Sequence, residues 1–318
     1  MTRLRQIALA GAATLVALLL VEGAARWLGI NPGYGRFISL GEAPTRDVGG
    51  VTLWQDHDPR TSADDVTRVA GKREAFTVVG LGDSIMYGVG QAKTDTYLEE
   101  ARRRLAGRTA RPVEILNLAV PGYNTMQEDA VHQEIADRLA ADLVLVHYWS
   151  DDGRIYRVVG GYVVDVGDMS ADGRLVVRAL PLPPAVNDFL LVHSRLYQVL
   201  TQAVIALDRR VTSADWSRVS TPLVALNDRV RRGGGRLVVL ASPPLDGDVV
   251  RPNSDLPELR RLAEQQGFEV IDVSEWLAGS DAATIRMDGC HFNAAGHRLL
   301  GERLAEYLLA HDLRSAGR

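Results

Sequence analysis

From Phe76 onward, short apolar runs alternate with helical stretches, and that alternation limits the possible folds more than any other feature. Residues 76–81, 113–118, 142–148, 236–241 and 268–273 are β-branched or apolar with few charges, the pattern of strands buried on both faces. Between them, residues 96–106, 125–141, 256–266 and 293–310 read as helices. Gly267 is placed to cap one of these at its C-terminus, and Asn293 to cap another at its N-terminus. Strands that alternate with helices predict an α/β fold. Its sheet is mainly parallel and five-stranded, its crossovers are right-handed, and helices cover both faces.

Three stretches stand outside this rhythm. The first opens with the basic Thr2-Arg3-Leu4-Arg5, followed by an uninterrupted apolar or small-residue run over 7–21 that Glu22 ends. Extended through Trp27 and Leu28, it is a marginal membrane span with an aromatic residue at the interface. It has no clean Ala-x-Ala cleavage site, so residues 1–30 are read as an uncleaved signal-anchor in preference to a cleaved signal. Arg3 and Arg5 precede the run, which predicts an amino end held inside and a main domain outside the cytoplasm, periplasmic or extracellular. Cleavage would make that domain secreted. The second stretch, 31–75, is rich in Gly, Pro, Asp and Thr and reads as a linker or wrapping segment with little regular structure. Trp54 marks a short docked piece there, and His57 is a surface or packing histidine. The third is an insertion at about 153–220 within the domain 76–318. Residues 162–166 and 174–178 alternate with period two around Ala171-Asp172-Gly173, which predicts a hairpin; 187–208 follow as a helix. The insertion leaves the sheet at its carboxyl edge, where it could form a lid or wall.

The length of 318 residues allows one large domain or two modest ones, and a net charge of −4 argues against a nucleic-acid partner. A single cysteine excludes an intramolecular disulfide and Cys-rich metal sites. No Walker loop or His-Glu-x-x-His motif occurs, and Gly80-Leu81-Gly82 is only a fragment of a dinucleotide-binding loop. Neither metal nor cofactor is expected.

The first strand runs straight into Gly82-Asp83-Ser84-Ile85, so Ser84 stands at the carboxyl end of a strand, where open α/β sheets bind ligands. Serine is a weak nucleophile and needs a base. Asp288-Gly289-Cys290-His291, near the far end, can supply it: His291 as proton acceptor and Asp288 as the group that orients the ring. The plainer readings are a helix-capping serine, a loop histidine and a turn aspartate. Position and the distant Asp-x-x-His pair together favour catalysis. Cys290 is assigned to packing, since neighbours in sequence seldom point at each other, and His297 to structure.

These motifs resemble the SGNH hydrolases, the GDSL esterase/lipase family. Gly82 to Ile85 match the family's first block. Asn117-Leu118-Ala119-Val120-Pro121-Gly122 matches the second, with Gly122 as its glycine, and Asp288 to His291 match the last. The third block is normally Gly-x-Asn-Asp; here Trp149-Ser150-Asp151-Asp152 places Asp151 where asparagine is expected. The resemblance implies a flavodoxin-like three-layer α/β/α sandwich. It also implies an oxyanion hole formed by the backbone N–H groups of Ser84 and Gly122 and by the side chain at Asp151. An ionised carboxylate accepts only, so three outcomes stay open. Asp151 is kept protonated by burial; Ser150 or Asn124 supplies the donor; or the site is slow or inactive. Losing one donor costs on the order of 10²–10³ in rate.

The leading expectation is an extracytoplasmic carboxylic ester hydrolase acting through Ser84 on short acyl groups such as acetyl, carried by a glycan or small ester. The alternatives are an O-acyltransferase acting on an exported polysaccharide, and a non-catalytic glycan-binding protein with a degenerate site. The expected partners are the ester substrate, such as an acylated carbohydrate, and the membrane.

Overall fold

The computed structural model describes residues 3–29, 37–39, 45–54, 59–70, 72, 74–150, 152–153, 156–159, 162–165, 182–200, 216–245 and 249–313. The chain forms two compact units, Met1–Glu42 with Ile155–Ser213, and Ala43–Arg154 with Ala214–Arg318.

The larger unit is built on a five-stranded sheet of β4 (Phe76–Gly82), β5 (Val113–Asn117), β6 (Leu143–Tyr148), β9 (Arg236–Ala241) and β10 (Glu269–Asp272). The spatial order is β5-β4-β6-β9-β10 and every pairing is parallel. Counted along the sheet's own strands this is 2-1-3-4-5, the flavodoxin-like order, whose switch point flanks β4. Successive residues of each strand face opposite ways. Val78, Leu143, Leu145, Val238 and Leu240 therefore join one core with helices α4 (Tyr97–Leu105) and α11 (Ala294–His311). Their neighbours Val79, Leu81, Val144, Val146 and Val239 are equally buried, and point to the face where α5 (Thr125–Ile135) packs on α7 (Ser217–Arg232). Each such Leu or Val contributes about 1.5–3 kcal/mol by leaving water. The result is the expected three-layer α/β/α sandwich.

The caps are as read from the sequence. Gly267 takes φ 73° after α8 (Leu256–Gln266), and the Asn293 side chain accepts from the N–H groups of Ala295 and Gly296. Helix α5 stops at Ile135, short of the expected residue 141.

Residues 45–70 depart from the expectation of little regular structure. β2 (Thr45–Val48) and β3 (Val51–Trp54) form an antiparallel hairpin, and α2 (Ala63–Ala70) follows. The turn is Gly49-Gly50, both at positive φ, the combination that matches the twist of a two-residue hairpin. Trp54 is buried; its indole N–H donates to the Pro121 carbonyl, and its own carbonyl accepts from the Tyr123 hydroxyl at 2.5 Å. Gln55 to Asp58, with His57, lie outside the described residues.

The smaller unit holds α1 (Arg3–Trp27), β1 (Phe37–Ser39), β7 (Tyr156–Val159), β8 (Tyr162–Asp165) and α6 (Pro184–His193). Its sheet is antiparallel in the order β1-β8-β7. The predicted hairpin is thus corrected: Tyr162–Asp165 pairs with the preceding Tyr156–Val159, and the proposed partner 174–178 lies outside the described residues. The other edge of Tyr162–Asp165 is taken by β1, so neither side of that strand is left for the proposed partner. In α1, the 20 residues Ala8–Trp27 are long and apolar enough to cross a bilayer, at about 1.5 Å per residue. Leu15, Leu19, Leu20 and Trp27 are exposed. By length and composition alone, such a helix is a candidate membrane anchor or signal sequence.

Candidate active site

Ser84 is the first residue of α3 (Ser84–Tyr87), a single turn springing from the end of β4. The Asp83 side chain caps that turn by accepting from the Ile85 N–H at 2.8 Å. The turn folds tightly back on its strand. A Cβ at Gly80 would meet Leu98 Cδ1 at 2.7 Å and Met86 Sδ at 2.8 Å, and one at Gly82 would meet Met86 Cβ at 2.8 Å. These glycines admit Met86, so the Gly-x-Gly fragment serves packing. The carbonyls at the end of α3 are satisfied from outside. Met86 accepts from Asn117 Nδ2, and buried Arg60 donates to the carbonyls of Tyr87, Gly88 and Gln91 with its guanidinium 4.0 Å over the Tyr87 ring. Arg60 belongs to the segment read as a linker, and nothing in its sequence context signals this role.

Two single turns, α9 (Val273–Trp276) and α10 (Ala282–Ile285), follow β10, and the loop between α10 and α11 brings the other two residues. His291 Nε2 lies 2.8 Å from Ser84 Oγ, and His291 Nδ1 lies 2.7 Å from Asp288 Oδ2. The loop is held by a short bridge between Arg286 and Phe292, with the Met287 N–H donating to the His291 carbonyl. Asp288 Oδ1 accepts from the N–H groups of Cys290 at 3.0 Å and His291 at 2.8 Å. Burial alone would raise the Asp288 carboxyl; the two backbone N–H groups and the His291 ring overcome that and hold it at about 2. An ionised Asp288 places the ring proton on Nδ1, leaving the Nε2 lone pair to accept from Ser84.

The segment after β5 continues along the end of β4. The N–H of Leu118 donates to the Gly80 carbonyl at 2.8 Å and that of Val120 to the Gly82 carbonyl at 3.0 Å. Gly122 follows at φ 80°, a conformation side chains disfavour. Among the described residues, neither the Ser84 nor the Gly122 N–H donates to another backbone carbonyl. Asn124 is buried and caps α5 in a reciprocal box with Gln127, which commits its side-chain oxygen. Asp151 lies outside the described residues. Its neighbour Asp152 is buried, and accepts from the Trp149 N–H.

Behind the serine lies a buried polar layer of which sequence reading singled out only His297, as structural. The Tyr97 hydroxyl lies 2.9 Å from His147 Nδ1, the Tyr97 N–H donates to His297 Nδ1 at 3.2 Å, and the Tyr97 and His297 rings stack. Glu128 is fully buried with neither carboxyl oxygen hydrogen-bonded among the described residues. Burial, then the charge of Asp83, pushes its pKa far up, which favours the neutral acid. Burial also holds His147 at about 3, helped by His297, and His297 at about 4, helped by Arg60 and His291; His132 sits at about 4 through burial and Arg229. A histidine with a folded pKa below its unfolded value near 6.5 gives stability that is complete above that value and lost as pH falls toward the folded pKa. Each of the three is expected to cost on the order of 2–3 kcal/mol by pH 4.5, a large share of a typical stability. Guanidinium midpoints should fall steeply between pH 6.5 and 4.5; a flat profile would show that the histidines charge without cost.

Cys290 packs at the margin of the core, half-buried, with Sγ 3.5 Å from His291 Nδ1 and 3.6 Å from Asp288 Oδ1. Adjacent in sequence, it does point at its neighbour, against expectation. The backbone bonds to Asp288 curl this loop into a turn, which brings both side chains to one side.

A parallel α/β sheet that brings Ser84, His291 and Asp288 within hydrogen-bond reach at the carboxyl end of an inner strand has the arrangement of a hydrolase-type site. Residues 81–299 match the GDSL-like lipase/acylhydrolase family, and the chain belongs to that family, whose members hydrolyse esters. Similar solved structures include the lipase/acylhydrolase from Enterococcus faecalis (16% identity, 74% of this chain and 95% of that one, TM-score 0.43). A lipolytic protein of the G-D-S-L family from Veillonella parvula DSM 2008 is also similar (14% identity, 72% and 96%, TM-score 0.43). So is the psychrotrophic esterase EstA from Pseudoalteromonas sp. (9% identity, 74% and 97%, TM-score 0.46). No curated protein is similar enough in sequence to count as a match.

Proposed function

We propose that the chain is a membrane-held, extracytoplasmic serine esterase that removes short acyl groups, acetyl foremost, from a glycan or small ester. The observation that carries this is the 2.8 Å contact of Ser84 Oγ with His291 Nε2, made by residues 207 apart in sequence. Ser84 Oγ attacks the acyl carbon while its proton passes to Nε2. Asp288 stabilises the imidazolium. The oxyanion accepts from the N–H groups of Ser84 and Gly122, and Asp151 adds a third donor only in its protonated form. The intermediate collapses as Nε2–H protonates the departing alcohol. Water, deprotonated by the same nitrogen, then frees the acid and restores Ser84.

Retention of the apolar helix is supported by contacts within its own unit. The Glu22 carboxylate accepts from the Ser194 hydroxyl and from the N–H groups of Arg195 and Leu196, each at 2.9 Å, capping the helical turn over 195–200. Arg26 pairs with Glu22 and donates to the His193 carbonyl. Cleavage beyond Gly29 would strip that cap, at a cost of about 1 kcal/mol or more. Arg3 and Arg5 at the amino end support the outward orientation of the domain. The short-acyl assignment follows from the family resemblance together with this anchor.

A fluorophosphonate probe should label Ser84, and a panel of p-nitrophenyl esters should favour acetate over longer chains. The mature protein should stay in carbonate-washed membranes with its first 29 residues intact. Absence of an adduct on Ser84 would refute the esterase mechanism, and a soluble mature chain beginning after Gly29 would refute the anchor.

A further inference from the structure

Beside the relay sits a thiol that ester hydrolysis does not use. Cys290 Sγ stands 3.5 Å from His291 Nδ1. Around a tetrahedral zinc ion, with Zn–S of about 2.3 Å and Zn–N of about 2.0–2.1 Å, sulfur and nitrogen stand about 3.5 Å apart. The two atoms are therefore already at ligand spacing. Asp288 completes the group, and the donor atoms of all three residues lie within 4.8 Å of one another. The group is open to solvent, with the His291 and Asp288 side chains 16% and 35% exposed.

We propose that Asp288, Cys290 and His291 form an inhibitory site for a thiophilic divalent cation, zinc above all, which reversibly switches off the serine. The proposal rests on the reading of Ser84 and His291 as nucleophile and base. Thiolate and carboxylate together neutralise a divalent charge, and a sulfur–nitrogen donor pair selects zinc over magnesium or calcium. Asp288 Oδ1 is engaged by two backbone N–H groups, so Oδ2 is the oxygen that turns to the metal. It now lies 2.7 Å from Nδ1 and must open by roughly half an ångström to reach ligand spacing. Solvent fills the fourth position.

The proton balance explains the inhibition. The Cys290 thiol loses its proton to solvent. The ring proton moves from Nδ1 to Nε2, because the metal takes the Nδ1 lone pair. Nε2 then carries a hydrogen toward Ser84 and has no lone pair left to accept one. The base is removed while the serine stays in place.

Cobalt serves as the spectroscopic probe on the full chain in detergent. The wild type should give a near-ultraviolet cobalt–thiolate band that Cys290→Ala lacks. Zinc should suppress both p-nitrophenyl acetate turnover and fluorophosphonate labelling, and EDTA should restore both. Loss of even an outer-shell partner weakens metal sites 10–100-fold, so Cys290→Ala should need at least about tenfold more zinc, relative to its own metal-free rate. A wild type with no thiolate band overturns the proposal, as does a Cys290→Ala variant with unchanged sensitivity. The band requires no turnover, so an inactive protein would sink the esterase reading and still leave the metal site decided by its spectrum.

Discussion

Ser84→Ala is expected to lower p-nitrophenyl acetate hydrolysis by on the order of 10⁴–10⁶ while the fold survives. The substitution removes one hydroxyl and its 2.8 Å contact with His291. A net hydrogen bond is worth about 1 kcal/mol, so the denaturation midpoint should barely move. Asp83 and Ile85 hold the capping bond of the turn without the serine side chain. The small remaining rate would come from the two backbone donors and substrate binding, which survive loss of the nucleophile. Turnover equal to wild type, measured on protein with an unchanged midpoint, would show that another group carries the chemistry.

Asp288→Asn should cost about 10⁴ in kcat with little change in KM. The local hydrogen bonds dictate why. Oδ1 of Asp288 is held by the N–H groups of Cys290 and His291, so the amide oxygen of the replacement takes that place. The new NH₂ then faces Nδ1 and donates to it. The ring proton is driven to Nε2, and the histidine cannot accept from Ser84. Because the native carboxyl sits at about 2, it stays ionised across the working range and adds no acidic limb to the wild-type rate profile. A variant within tenfold of wild type would mean that the ring needs no partner to fix its tautomer.

The central sheet was legible because its strands are buried on both faces and so read as continuous β-branched runs. The outer pieces were harder. Val48-Gly49-Gly50-Val51 is a hairpin signal, but the charged Arg46 and Asp47 beside it disguised the strand. Tyr162–Asp165 was recognised as a strand and given the wrong partner, because one run alternating with period two carries no label for its neighbour. Motif spacing named Ser84, Asp288 and His291, yet only the folded loop after Ile285 sets their distances. Arg60, Tyr97, Glu128 and His147 escaped notice because a polar residue shows its burial only once the chains around it are packed, whereas His297 was assigned to structure and is buried.

The Glu22–Ser194 contact joins residues 172 apart, with the first three strands of the parallel sheet synthesised in between. At a ribosomal pace of 5–20 residues per second, the carboxylate waits roughly ten to thirty seconds for its donors to emerge. During that interval the helix carries its negative charge one turn from its end with Arg26 as its one partner among the described residues. Nascent chains stalled before residue 194 should therefore hold their leading segment loosely, and release past that point should lock it.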